Sequence, residues 1–145
     1  RHQGADCADV IVGAMRKAGA KVEYTSVKGL FSFSKPITRK LFMDDSGFYE
    51  LVGGRTKGAP VELSYGKDVK RGDILVIDYA RGMATRSWDH VGIIGDDHGT
   101  KGRFDPDDSL FHMGFLYGLT EEPAKKQGRA IVQVLRLNPR ARGRL

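Results

Sequence analysis

The segment "KRGDILVIDYA", residues 70–80, does most to limit how this chain folds. After the Gly72–Asp73 turn signal it runs Ile74, Leu75, Val76 and Ile77 without polar alternation, so both of its faces must be buried. That pattern belongs to a central strand with neighbours on each side. Three further segments, "HVGIIGDD", "SLFHMGFL" and "AIVQVLRL", carry the β-branched and apolar content of companion strands. Ahead of them lies "GADCADVIVGAMRKAGA", residues 4–20, in which Cys7, Val10, Ile11, Ala14, Met15 and Ala18 repeat at helical spacing. Asp6 suits the N-cap, Asp9 sits where a capping-box acid belongs, and Gly19 ends the helix. A helix followed by an antiparallel sheet predicts an α+β fold, and 145 residues suffice for one domain with a real core.

Residues 21–66 are less regular. "KVEYTSV" reads as a short strand, Pro36 as the start of a helix through about Phe42, and "LVGGRTKGAPVE" as loop because of its glycines and Pro60. The chain begins at Arg1 with no signal peptide, as expected of a processed protein or a piece of a longer one. No run of 18 apolar residues is present, so no membrane span is expected. A single cysteine excludes an internal disulfide and a cysteine-rich zinc site, and no H-x-x-x-H spacing suggests another metal. The net charge of +6 favours an anionic partner such as nucleic acid, an acidic glycan or a wall polymer. Part of it belongs to the tail "RLNPRARGRL", which reads as a solvated end, and no nucleic-acid motif accompanies it.

Chemistry concentrates in two places. On the helical register Cys7 opens the buried stripe, where the unpaired N–H groups of a helix start favour a thiolate. The alternative is that Cys7 is a small buried hydrophobe. In the strands, two-residue alternation puts His90, Gly92 and Ile94 on one face and Leu110, His112 and Gly114 on one face. An antiparallel pairing with His90 opposite His112, joined through "DDHGTKGRFDPD", sets two imidazoles side by side with Gly92 and Gly114 leaving room around them. If the first helix packs on that face, Cys7 meets His90, and a thiol, a base and a group orienting the base are assembled. Trp88 and Asp89, just before His90, either shape a cleft or cap the strand. Asp107 and Asp108 are substitutes for His112 as third group, and His98 reads as a solvated turn residue.

"DCADVIV…RKAGA", "KRGDILVID", "DHVGIIGDD" and "LFHMG", in that order, resemble the NlpC-type cell-wall cysteine peptidases of the papain-like superfamily, which also includes the CHAP amidases. The likeness spans residues 6 to about 115 and implies a papain-like α+β fold whose N-terminal helix carries the cysteine and packs on an antiparallel sheet. It implies that Cys7 is the nucleophile, His90 the general base and later acid, and His112 the group that orients His90. Asp6 corresponds to a position that binds a substrate amine, and Trp88 is taken with it as a substrate contact. The expected activity is hydrolysis of a peptide or isopeptide bond in peptidoglycan stem peptides, with no cofactor and no metal, in the periplasm or outside the cell. An acyltransferase or amidase acting on another substrate, and a binding module without activity, are the alternatives. Ala8–Asp9 replaces the family's Ser–Gly after the cysteine, and Arg71 replaces a proline. The carboxylate of Asp9 favours the helix start but opposes a nearby thiolate.

Overall fold

The expected central strand is β6, Ile74–Asp78, and each of its residues is buried. The computed structural model describes residues 34–79, 89–114 and 118–137. Ten other strands surround or extend β6: β1 (Ser34–Pro36), β2 (Leu41–Asp44), β3 (Gly47–Val52), β4 (Arg55–Lys57), β5 (Leu63–Ser64), β7 (His90–Ile94), β8 (Arg103–Phe104), β9 (Ser109–Gly114), β10 (Gly118–Pro123) and β11 (Ala130–Leu137). The main sheet runs β10-β9-β7-β6-β11-β2-β3-β4, with β1 also on β11, while β5 and β8 form a separate pair. All of these pairings are antiparallel.

Alternation along the strands explains where the core lies. The register Ile77↔His90, Leu75↔Gly92, Val132↔Ile77, Val132↔Leu41 and Met43↔Phe48 puts these residues on one face of the sheet. The hydrophobic core draws on that face, with Leu41, Met43, Phe48, Leu75, Ile77, Ile94, Leu110, Val132 and Val134 among its members. Phe104 of β8 closes over it, stacked on Phe48 with centroids 4.8 Å apart. The residues between, Ile74, Val76, Val91 and Leu135, point to the other face and are buried too. Both faces of the sheet's centre are therefore dry, as the unbroken apolar run of β6 requires.

An ion pair fastens β6 to β11 at one end. Asp73 lies almost fully buried, and its two carboxylate oxygens accept from Arg136 Nε and Nη2, both at 2.9 Å. Asp73 Oδ2 also accepts the Lys70 backbone N–H at 2.8 Å, which holds the turn leading into β6.

Several expectations need correction. Among the described residues 54% are strand and 5% helical, with no helix of seven or more residues, so they form a nearly all-β fold and not the expected papain-like α+β fold. The helix expected at the N-terminus, with Asp6 and Cys7, and the strand "KVEYTSV" lie outside the described residues. The helix expected from Pro36 to Phe42 is absent: Pro36 ends β1, and Leu41–Asp44 alternates buried and half-buried side chains as β2. Leu41 and Met43 supply a period of two that outweighs the helix-start signal of proline. In "LVGGRTKGAPVE" the glycines mark a hairpin turn within a sheet. Gly53 and Gly54, at φ 59° and 79°, form the two-residue loop joining β3 to β4, a backbone twist that suits glycine at both positions. The segments expected around β6, β7, β9 and β11 are strands, whereas β10 has no counterpart among the expected elements. Among the described residues no helix is long and apolar enough to cross a membrane.

Candidate active site

Two histidines meet on the core face, where β7 begins and β9 runs beside it. His90 Nε2 lies 2.9 Å from His112 Nδ1, and the two rings stand nearly perpendicular with centroids 5.0 Å apart. The expected register differs from the observed one. β9 pairs with β7 through Ile93↔Phe111 and Ile94↔Leu110, two residues away from a His90-opposite-His112 alignment. Continued along the strands, this register sets His112 opposite Gly92 and diagonal to His90. A shift of two keeps each side chain on its face, and diagonal neighbours remain within reach of an imidazole. Gly92 does not leave a gap beside the rings, because the Leu110 side chain fills it: a Cβ at Gly92 would lie 2.7 Å from Leu110 Cγ.

His112 is buried and held from its far side. Its Nε2 lies 3.1 Å from Glu122 Oε1 and 3.2 Å from Gln127 Nε2. Glu122 comes from β10, where Thr120 pairs with His112, so Glu122 is two residues on and on the same face. Gln127 ends the short 3-10 turn Ala124–Gln127 that follows β10. The Tyr79 hydroxyl donates to Gln127 Oε1, and the Tyr79 ring packs along His90 with centroids 6.1 Å apart. A chain of polar contacts thus runs from Tyr79 through Gln127 to His112 and on to His90.

The electrostatics of His90 follow from this packing. Burial, reinforced by the proximity of His112, pulls its pKa from 6.5 down to about 4. At neutral pH His90 is an uncharged imidazole, as a general base must be before it acts. With Nε2 engaged by His112, its Nδ1 has no hydrogen-bond partner among the described residues.

The other expected site residues separate clearly. Cys7, Asp6 and Trp88 lie outside the described residues. Asp89 ties the ends of β6 and β7 together: its N–H donates to Ile77 O at 2.8 Å and its Oδ2 accepts the Tyr79 N–H at 3.0 Å. Asp108 does not replace His112. Its buried carboxylate accepts the backbone N–H groups of His98 and Gly99 at 2.9 Å and of Asp105 at 3.1 Å, so it organises the loop between β7 and β9. Burial nonetheless raises its pKa to about 6, against the pull of those bonds. Asp107 is exposed and pairs with Lys125 at 2.6 Å. His98 is exposed, as expected of a turn residue. With Asp96 and Glu121 it makes a group of three potential metal ligands, but all are exposed and Asp96 already accepts from Arg71 Nε at 2.9 Å. A cleft of about 490 Å³, floored by Ile37, Leu41, Val61 and Leu63 and edged by Arg39 and Glu50, contains none of the residues around the histidines.

Glu122, Gln127 and Tyr79 escaped the sequence reading. Thr120 and Glu122 alternate in "GLTEEP", the one signal in the sequence that a further strand follows "LFHMG" and shares its face. No protein-family model, curated protein or solved structure matches this chain.

Proposed function

We propose that this protein is a cysteine hydrolase that cleaves peptide or isopeptide bonds in peptidoglycan stem peptides. Cys7 is the nucleophile, His90 the general base and then acid, and His112 the group that orients His90. The observation that carries the proposal is the 2.9 Å contact from His90 Nε2 to a buried His112 that is itself anchored by Glu122. A base held through one ring nitrogen, with the other turned toward its task, is what a thiol nucleophile needs. The motif order described above supplies the cysteine and the substrate class, and the charge of +6 suits an anionic wall.

The reaction begins when His90 takes the Cys7 proton and the thiolate attacks the amide carbonyl carbon. The tetrahedral intermediate collapses as protonated His90 gives its proton to the leaving amine, leaving a thioester on Cys7. Water, deprotonated by His90, then hydrolyses the thioester and returns the thiol. Burial, with the neighbouring His112 adding to it, makes His90 a weak base, its fall from 6.5 to about 4 corresponding to about 3 kcal/mol. A thiolate about 4 Å away stabilises the imidazolium by about 4 kcal/mol at an effective dielectric constant of about 20. Moving a proton from a thiol near 8.5 to this imidazole costs about 6 kcal/mol, so with the pair term the charge-separated state lies about 2 kcal/mol uphill: His90 rests neutral and takes the proton as the reaction begins.

The test is the pH dependence of Cys7 alkylation by iodoacetamide in the wild type and in His90→Ala, followed by incubation with purified peptidoglycan fragments and mass spectrometry of the products. The expected result is alkylation at pH 6 to 7 that is faster in the wild type than in His90→Ala, because the neutral imidazole takes the thiol proton, with new amine ends released only by the wild type. Equal alkylation rates at pH 6 to 7 in both proteins, with no cleavage, overturn the hydrolase and leave a binding module. Transfer of the acyl group to an added amine in place of water identifies an acyltransferase and overturns the hydrolytic assignment.

A further inference from the structure

His112 presents both ring nitrogens to partners, and only certain proton arrangements satisfy them. A neutral imidazole donates from one nitrogen and accepts at the other. If His112 carries its proton on Nε2, it donates to Glu122 Oε1 at 3.1 Å and accepts from His90 Nε2–H at Nδ1. His90 then has a bare Nδ1, ready to take a proton. With the His112 proton on Nδ1 instead, it donates to His90 Nε2, the His90 proton moves to Nδ1, and His90 is no base at that atom. The choice made at one end of the chain therefore decides the chemistry at the other.

Two groups compete for that choice at His112 Nε2. Gln127 Nε2, 3.2 Å away, donates and favours the unproductive arrangement, whereas the Glu122 carboxylate accepts and favours the productive one. A hydrogen bond to a carboxylate is roughly twice as strong as one between neutral groups. The Gln127 amide can also turn over, exchanging its oxygen and nitrogen at little cost, so that its oxygen faces His112 and its nitrogen faces the Tyr79 hydroxyl. Glu122 has no such freedom: as a carboxylate it only accepts.

We propose that Glu122 is a positioning residue that sets the tautomers of both imidazoles, holding His112 and His90 as Nε2–H forms and so leaving His90 Nδ1 as the basic atom. This assignment rests on the hydrolase reading for its purpose but not for its measurement. Glu122 stands on β10, the outermost strand at its end of the main sheet, and is half-buried, and Glu122→Gln keeps its volume and an acceptor in place.

The experiment is two-bond ¹⁵N–¹H correlation spectroscopy of the histidine rings at pH 7, in the wild type, Glu122→Gln and Glu122→Ala, with ring signals assigned from His90→Gln and His112→Gln. The wild type is expected to show both rings as Nε2–H tautomers. Glu122→Gln, which keeps an acceptor in the same place, retains them, and Glu122→Ala shifts both rings toward Nδ1–H. Cys7 alkylation at pH 7 is expected to fall by roughly tenfold in Glu122→Ala and to be largely restored in Glu122→Gln. A wild-type His112 protonated on both nitrogens, or tautomers unchanged in Glu122→Ala, overturns the role of Glu122. If the tautomers shift as expected while alkylation ignores His90, the hydrolase reading fails and the tautomer assignment stands.

Discussion

Replacing His90 by glutamine removes a base that folding keeps neutral, and the consequence is a defined change in how stability responds to acid. The native pKa is about 4 and the reference value 6.5, so between these the unfolded chain binds the proton that the native state refuses. Stability from this group is intact above pH 6.5 and is lost as the pH falls toward 4. The full difference corresponds to about 3 kcal/mol, and because His90 keeps some exposure about 2 kcal/mol is expected. Asp108 works in the other direction. Its native pKa near 6 exceeds the reference 3.8, so the native state binds the extra proton and gains stability as the pH falls through the same window. The two effects are similar in size, and the wild type alone will show little slope between pH 6 and 4 from these groups. The informative quantity is the difference between wild type and His90→Gln, in which Asp108 and all other shared groups cancel. Urea unfolding followed by circular dichroism at pH 7 and pH 4 measures it. The wild type is expected to lose about 2 kcal/mol more than the variant on acidification. Equal losses, within about 0.5 kcal/mol, would refute the reasoning that packing against β6 and His112 keeps this ring uncharged.

Two other outcomes follow from the packing. Asp73→Ala leaves the half-buried Arg136 guanidinium without its carboxylate and frees the Lys70 N–H, and the expected cost in urea unfolding is about 1.5–3 kcal/mol; a loss below about 0.5 kcal/mol would show that the pair is solvated. Gly92→Ala pushes a methyl into Leu110, and a loss of about 1–3 kcal/mol is expected, with part of it recovered when Leu110→Val is added; strictly additive losses would deny the contact.

What could be read from the sequence, and what could not, divides along physical lines. β6 was legible because four apolar residues in a row between turn signals leave few folds open, and β7, β9 and β11 were legible from β-branched content and alternation. β2 was not, since a proline that opens helices elsewhere precedes a four-residue run too short to show its period. β3 and β4 were hidden by the Gly53–Gly54 pair, which breaks a chain and turns a hairpin with the same two residues. β10 carries the charged sequence of a solvated loop, with Glu121 and Glu122 together and Pro123 behind them. Its strand character comes from long-range pairing with β9, which propensity does not record.

The candidate site shows the same division more sharply. Alternation placed His90 and His112 on one face, and the observed register, displaced by two residues, keeps them there because the side-chain period of a strand is two. Only an odd displacement would have separated the rings. Their meeting is therefore robust to an error in pairing, while their geometry is not. Directly opposite, the two rings would have stood side by side; on the diagonal, His112 can turn one nitrogen to His90 and the other to Glu122. The two-residue displacement thus makes room for a third member, and that member comes from β10, the strand the sequence concealed. A proton held at Glu122 reaches its effect on His90 only through a buried ring fixed at both nitrogens, so the strand least legible in the sequence supports the part of the site on which basicity at His90 Nδ1 depends.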